Sequence, residues 1–112
     1  MSQSVTQHGA HTREDILAKL AGQAVALRRI GVTSLGLFGS YARNEQTQTS
    51  DVDLLVEFDR LTFRGYMDAK LLLEAALNLS VDLVLADDLR PRLRERVLSE
   101  VIYVAGLSAL PR

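Results

Sequence analysis

The chain contains no cysteine. That absence removes a disulfide framework, a thiolate nucleophile and a zinc–thiolate centre, and nothing points to an oxidising compartment. Charge of one sign is also missing: 13 Lys and Arg stand against 14 Asp and Glu, for a formal net charge of −1. No global basic field draws nucleic acid, so direct nucleic-acid binding is not expected. No apolar run approaches the ~20 residues that span a bilayer. The stretch Met1 to Thr12 is polar and has no apolar core of the signal-peptide kind. The expected setting is cytoplasmic, away from membranes.

What is present suffices for one domain. At 112 residues, 47% of them hydrophobic, a single core can form, with no room for a separate substrate domain. Residues 1–11 are rich in Ser, Gln, His and Gly and read as a disordered tail. Residues 12–112 read as the domain. Thr12 is a candidate N-cap, with Glu14 and Asp15 in the first turn, where the helix dipole favours acids. Ile16, Leu17, Leu20, Ala24, Leu27 and Ile30 follow at helical spacing, and Gly31 is a stop. Thr33 to Phe38 reads as a first strand, Ser40 to Glu45 as a short helix, and Val52 to Phe58 as a second strand. Phe63 to Leu77 has the length and leucine content of a helix, and Ser80 to Ala86 alternates as a third strand. Asp87 or Asp88 can cap a final helix with Pro91 in its first turn and Leu93, Val97 and Ile102 buried. A helical crossover between the second and third strands makes them parallel. The expected fold is α/β (α+β): a small mixed sheet of three to four strands with flanking helices.

The chemistry is concentrated between Gly36 and Phe58. Gly39-Ser40 ends the first apolar run; ten residues later Asp51-Val52-Asp53 opens the second. Gly39 permits close backbone approach. Ser40 stands where a helix begins, and the first amides of a helix lack partners and attract anions. Arg43, about one turn on, can reach the same anion. Taken alone, Gly-Ser is also a common turn and cap. Asp51 and Asp53 leave the same face of a strand. Two carboxylates near 5 Å repel by roughly 3 kcal/mol at an effective dielectric of ~20, so water, an arginine or a cation must relieve them. Hard oxygen ligands favour Mg²⁺ or Mn²⁺. Asp82, between Val81 and Leu83, is a third carboxylate that a neighbouring strand can bring beside the pair. Three carboxylates around two metals fit in-line phosphoryl or nucleotidyl transfer.

Gly39, Ser40, Ala42, Arg43, Asp51, Asp53 with Leu54-Leu55-Val56, and Asp82 within Ser80-Val81-Asp82-Leu83-Val84 closely resemble the minimal nucleotidyltransferases (MNT) of the DNA polymerase β superfamily. Leu93 to Val104 looks like that family's C-terminal helix. The resemblance covers nearly all of the chain after residue 12. It implies the nucleotidyltransferase fold and an antitoxin that acts on a HEPN-domain ribonuclease toxin, transferring AMP from ATP to a tyrosine hydroxyl. It further implies that Gly39 and Ser40 hold the triphosphate. Asp51 and Asp53 would bind the metals, two Mg²⁺ ions by expectation, and Asp82 would complete the triad and assist deprotonation of the acceptor. The family often has Gly after the arginine of the motif; Asn44 stands there, which affects the end of the short helix and not the metal chemistry.

Other readings of function stay open at this point. A non-catalytic antitoxin would block the toxin by occupancy. A small-molecule nucleotidyltransferase, similar to the aminoglycoside-modifying enzymes, would need an extra substrate-binding region. Weaker features get plainer readings. His8 and His11 lie in the tail without partners, and Tyr41 and Tyr103 read as packing residues. Arg90, Arg92, Arg94 and Arg96 read as a solvated face, with a partner or RNA contact as the second possibility.

Overall fold

The computed structural model describes residues 11–108. Two helices, α1 (Arg13–Ala21) and α2 (Ala24–Ile30), lead into strand β1 (Val32–Phe38). A turn-rich connection reaches β2 (Val52–Phe58), and helix α3 (Phe63–Leu77) crosses over to β3 (Val81–Leu85). A 3₁₀ turn at Ala86–Asp88 precedes helix α4 (Pro91–Glu100) and the short strand β4 (Ile102–Tyr103). The sheet is four-stranded in the order β3-β2-β1-β4. β1 is antiparallel to both its neighbours, whereas β2 and β3 are parallel, as a helical crossover requires. The expected mixed sheet with flanking helices is therefore the fold.

Register separates the two faces of the sheet. Leu35 lies opposite Val56, Leu37 opposite Leu54, and Leu54 in turn beside Leu83. Directly paired residues point to the same side, so these side chains share one face. There they are buried together with Ile16 and Leu20 of α1, Leu27 of α2, and Ala69, Leu73 and Leu77 of α3. The opposite face carries Phe38 beside Asp53 and Asp53 beside Asp82. The apolar alternation of β2 thus places the two chemically interesting aspartates away from the helical layer.

Several expectations are met and several are corrected. Thr12 caps α1 in a full capping box with Asp15, and Gly31 ends α2 in the left-handed conformation. The single helix expected from Thr12 to Ile30 is two, because the chain turns at Gly22 and Gln23, where Gly22 N–H closes α1 onto Ala18 O and Gln23 N–H donates to Leu20 O. Asp87 and Asp88 do not cap α4; they lie in the 3₁₀ turn, and the N-cap of α4 is Arg90, with Pro91 in the first helical position. α4 also stops at Glu100, so the C-terminal helix expected through Val104 ends early. Val101 is extended and Ile102–Tyr103 pair with Leu37 and Gly36. The β-branched residues Val101, Ile102 and Val104 suit that outcome. The stripe expected from Leu93, Val97 and Ile102 shrinks to Val97: Leu93 is 46% exposed and Ile102 belongs to the strand. Tyr103 is 44% exposed rather than in the core, whereas Tyr41 is buried. The tail through residue 10, including His8, lies outside the described residues, while the His11 carbonyl accepts from Gln46 Nε2 at 3.2 Å.

Candidate active site

β1 ends at Phe38, and Gly39 follows with φ +78°, which turns the chain over the end of the sheet. Ser40 to Glu45 form one hydrogen-bonded turn instead of the expected short helix. Arg43 N–H donates to Gly39 O at 3.1 Å and Glu45 N–H to Ser40 O at 2.8 Å. Asn44 stops it at φ +63°, a left-handed conformation that Asn tolerates better than most side chains. That is the residue standing where the family often has Gly. Two anchors hold the turn down. Tyr41 and Ala42 are buried, and Arg13 Nη1 donates to Ala42 O at 3.1 Å.

The chain then returns through a tight loop. Thr47 N–H donates to Ser50 Oγ at 2.9 Å and Ser50 N–H to Thr47 O at 3.1 Å, which delivers Asp51 to the start of β2. The ten residues between Ser40 and Asp51 are thus spent on one turn and one reversal. Such a span lets antiparallel strands place Gly39 against Asp53. The approach is close: a Cβ on Gly39 would stand 2.1 Å from Asp53 Oδ2. No residue but glycine fits there. Among the described residues, none accepts a hydrogen bond from Ser40 N–H or Oγ.

Asp53 and Asp82 are direct partners across the parallel β2–β3 pair, so their side chains leave the same face of adjacent strands. Burial first, and then the negative charges of Asp82 and Asp51, push the Asp53 carboxyl up to about 6, against a smaller opposing pull from Arg43. Asp82 and Asp51 themselves are exposed. Among the described residues, no group of three or more His, Asp or Glu side chains is gathered closely enough to hold a metal as it stands. The donor set nevertheless suits a divalent cation. It is all carboxylate, with two of its members on one face, and Arg43 offsets its charge only in part.

Arg43, expected at the anion, is held by two carboxylates. Its Nε donates to Glu45 Oε1 at 3.0 Å, and its Nη1 donates to Glu100 Oε1 and Oε2 at 3.2 Å. Neither Glu45 nor Glu100 stood out in the sequence. Glu45 follows the motif without belonging to it. Glu100 lies 57 residues from Arg43, and no local signal joins them. An apolar cleft of about 670 Å³ lies elsewhere, between α3 and the end of β3, lined in part by Phe63, Tyr66, Met67 and Leu85. It is lined by neither Gly39 nor the three aspartates, so the carboxylate chemistry is not in that cleft.

Residues 18–104 match the nucleotidyltransferase domain family. The chain belongs to that family. This nucleotidyltransferase is 41% identical over 95 residues to the protein adenylyltransferase MntA of Thermococcus cleftensis, an alignment covering 83% of this chain and 96% of the relative. A solved structure described as a minimal nucleotidyltransferase superposes with a TM-score of 0.72 at 39% identity, covering 86% of this chain and 97% of that one. A solved toxin–antitoxin complex with AMP-PNP superposes at 0.60 and 25% identity, covering 75% and 71%. The enzyme is thus of the minimal type, and its fold and motif belong together. Among the described residues, no helix is long and apolar enough to cross a membrane.

Proposed function

We propose that this nucleotidyltransferase is an antitoxin that transfers AMP from ATP to a tyrosine hydroxyl of a HEPN-domain ribonuclease toxin and thereby silences it in the cytoplasm. The observation that carries the reading is the packing of Gly39 directly against the Asp53 carboxylate, with Asp82 alongside. A triphosphate held at the Gly39–Ser40 turn is then adjacent to the carboxylates. The protein adenylyltransferase name of the 41% identical relative supports AMP as the transferred group, and the toxin–antitoxin complex with AMP-PNP supports ATP and a toxin partner.

In this reading Ser40 N–H and Oγ bind phosphate oxygens, and Gly39 allows the approach. Arg43 adds positive charge at one remove, because Glu45 and Glu100 already hold its guanidinium. Asp51, Asp53 and Asp82 would hold Mg²⁺, which when bound supplies neutralisation of the triphosphate and of the departing pyrophosphate. The tyrosine oxygen attacks the α-phosphorus in line. The new O–P bond forms as the bond to the β-phosphate bridge breaks, and pyrophosphate leaves. A tyrosine hydroxyl has an unperturbed pKa of about 10, so its proton needs an acceptor at neutral pH. Asp82, exposed on the edge strand β3, is a carboxylate that a protein substrate can reach and is assigned that role in this reading.

The test is incubation of the purified protein with its HEPN partner, Mg²⁺ and each nucleoside triphosphate in turn, read by intact mass. The expected result is a gain of one or more AMP masses on the partner, mapped to tyrosine and lost in Asp51→Ala and Asp53→Ala. A stable complex with no mass change would replace transfer by blocking through occupancy.

A further inference from the structure

Glu100 is the last residue of α4, where the negative end of the helix dipole disfavours a carboxylate. Its side chain nevertheless keeps only 18% exposure. A carboxylate so placed needs strong donors, and it has them. Gly39 N–H donates to Oε2 at 2.8 Å, and Arg43 Nη1 donates to both oxygens at 3.2 Å. Bonds of this kind, with one or both partners charged, are the stronger ones in proteins.

The reason lies in the topology. β4 pairs with β1 only at Gly36 and Leu37, so it does not extend far enough along β1 to pair with Gly39. Glu100, just before β4, reaches across and takes the Gly39 amide that a longer strand would have taken. The same carboxylate fixes Arg43, which Glu45 holds from its own side of the turn. Asp53 lies close on the other side, where a Cβ added at Gly39 would meet its Oδ2 at 2.1 Å. The turn thus lies between Glu100 and Asp53, and among the described residues no acceptor takes Ser40 N–H or Oγ.

We propose that Glu100 is a positioning residue for nucleotide binding: it holds the Gly39 amide and Arg43 so that the Gly39–Ser40 turn presents Ser40 to the triphosphate. The inference rests on the transfer reading above and adds a residue to it from outside the motif. Glu100 touches neither substrate nor metal; it acts through Gly39 and Arg43.

The test compares Glu100→Ala, Glu100→Gln and, as a control on the same helix, Glu95→Ala. Binding of Mg²⁺·AMP-PNP is measured by calorimetry, the Gly39 amide is followed by NMR, and transfer is resolved into KM for ATP, KM for the acceptor and kcat. Glu100→Ala should move the Gly39 amide resonance upfield. It should also weaken AMP-PNP binding and raise KM for ATP by about 10- to 100-fold, the scale of a lost charged hydrogen bond. KM for the acceptor should stay as it was. Glu100→Gln keeps an acceptor for Gly39 N–H and should recover most of the loss, and Glu95→Ala should resemble the unmodified protein. Wild-type AMP-PNP affinity in Glu100→Ala overturns the proposal. So does an equal rise in both KM values with a lowered melting temperature, or a Gln variant no better than Ala. If the unmodified protein transfers nothing, the function proposed above fails, while the calorimetry and the Gly39 resonance still decide the part played by Glu100.

Discussion

Val81 and Asp82 are neighbours on β3, yet the carboxylates gathered around them meet opposite treatment. Beside Val81, Glu74 accepts from the Val81 amide at 3.1 Å and from Lys70 Nζ at 3.2 Å, and Lys70 also donates to Val81 O at 2.9 Å. The Val81 amide first, and Lys70 second, hold the Glu74 carboxyl below its usual range. Beside Asp82, burial and like charge push Asp53 up to about 6. The first cluster is answered within the fold and closes part of the free edge of β3, which an unpaired strand otherwise offers to other chains. The second has no such partners, and only the more distant charge of Arg43 opposes the rise. Carboxylates beside adjacent residues of β3 thus meet opposite environments: Glu74, from α3, is paired at the strand's edge, whereas Asp53, from β2, lies beside Asp82 on the face of the sheet.

The largest expected effect breaks the unanswered cluster. Asp53→Ala should lower nucleotidyl transfer by at least about 10³-fold, the scale of removing a group that stabilises developing charge, while the protein stays folded. Mass spectrometry of the acceptor and a thermal melt of the same sample check both halves. A folded variant that still transfers would remove Asp53 from the chemistry.

Next comes the packing that joins turn to carboxylate. Gly39→Ala places a Cβ 2.1 Å from Asp53 Oδ2 at φ +78°. Denaturant unfolding should show a loss of about 1–3 kcal/mol. AMP-PNP binding should weaken as well, because the turn and the carboxylate can no longer close on each other.

Breaking the answered cluster should cost less and should depend on pH in a defined sense. Glu74→Gln is expected to lower stability by about 1–2 kcal/mol at pH 7, since a charged acceptor is replaced by a neutral one. The folded pKa of Glu74 lies below the 4.5 of an ordinary glutamate, so its contribution is present above that value. It is lost as pH falls through the folded pKa. Urea midpoints taken down to pH 3 should show the variant and the unmodified protein converging.

The smallest effect has the opposite sign. Asp53 has a folded pKa of about 6, raised from the 3.8 of an ordinary aspartate. Its stabilising contribution is complete below 3.8 and lost as pH rises through about 6. Asp53→Asn should therefore stabilise the metal-free protein at pH 8. The gain should be about 1 kcal/mol, the size left after solvent screening of a partly buried group. The gain should vanish near pH 3, and adding Mg²⁺ to the unmodified protein at pH 8 should narrow it. A destabilised Asn variant at pH 8 would mean that Asp53 is structural, like Glu74.

The two clusters also differ in how readily they could be seen in the chain. Asp51, Asp53 and the Gly39-Ser40 pair are legible because strand alternation and a fixed loop length put them in one short stretch. Asp82 is legible because a carboxylate interrupts an apolar strand. Glu74 and Lys70 look like any exposed pair one helical turn apart, and their work at the β3 edge depends on how α3 lies along that strand. Glu100 is hidden for the same reason. It sits in a segment that looks helical through Val104, and its reach to Gly39 exists only because the helix stops and β4 begins. The Thr12–Ile30 helix split at Gly22 is a related case: the apolar spacing continues through the break, and only the packing of α2 against β1 and of both helices against α3 requires it.

The sequence by itself determined the elements whose cause is local. The spans of β2 and α3, the caps at Thr12 and Gly31, the mixed sheet and the order of the carboxylate motif follow from side-chain period, cap chemistry and crossover length, all properties of near neighbours. The tertiary structure decided where α4 ends, which groups hold Arg43, and which carboxylates are neutralised and which are left charged. Those outcomes depend on burial and on partners far along the chain. A carboxylate's energy is set by whatever donors and charges the fold brings beside it, and no local pattern carries that information.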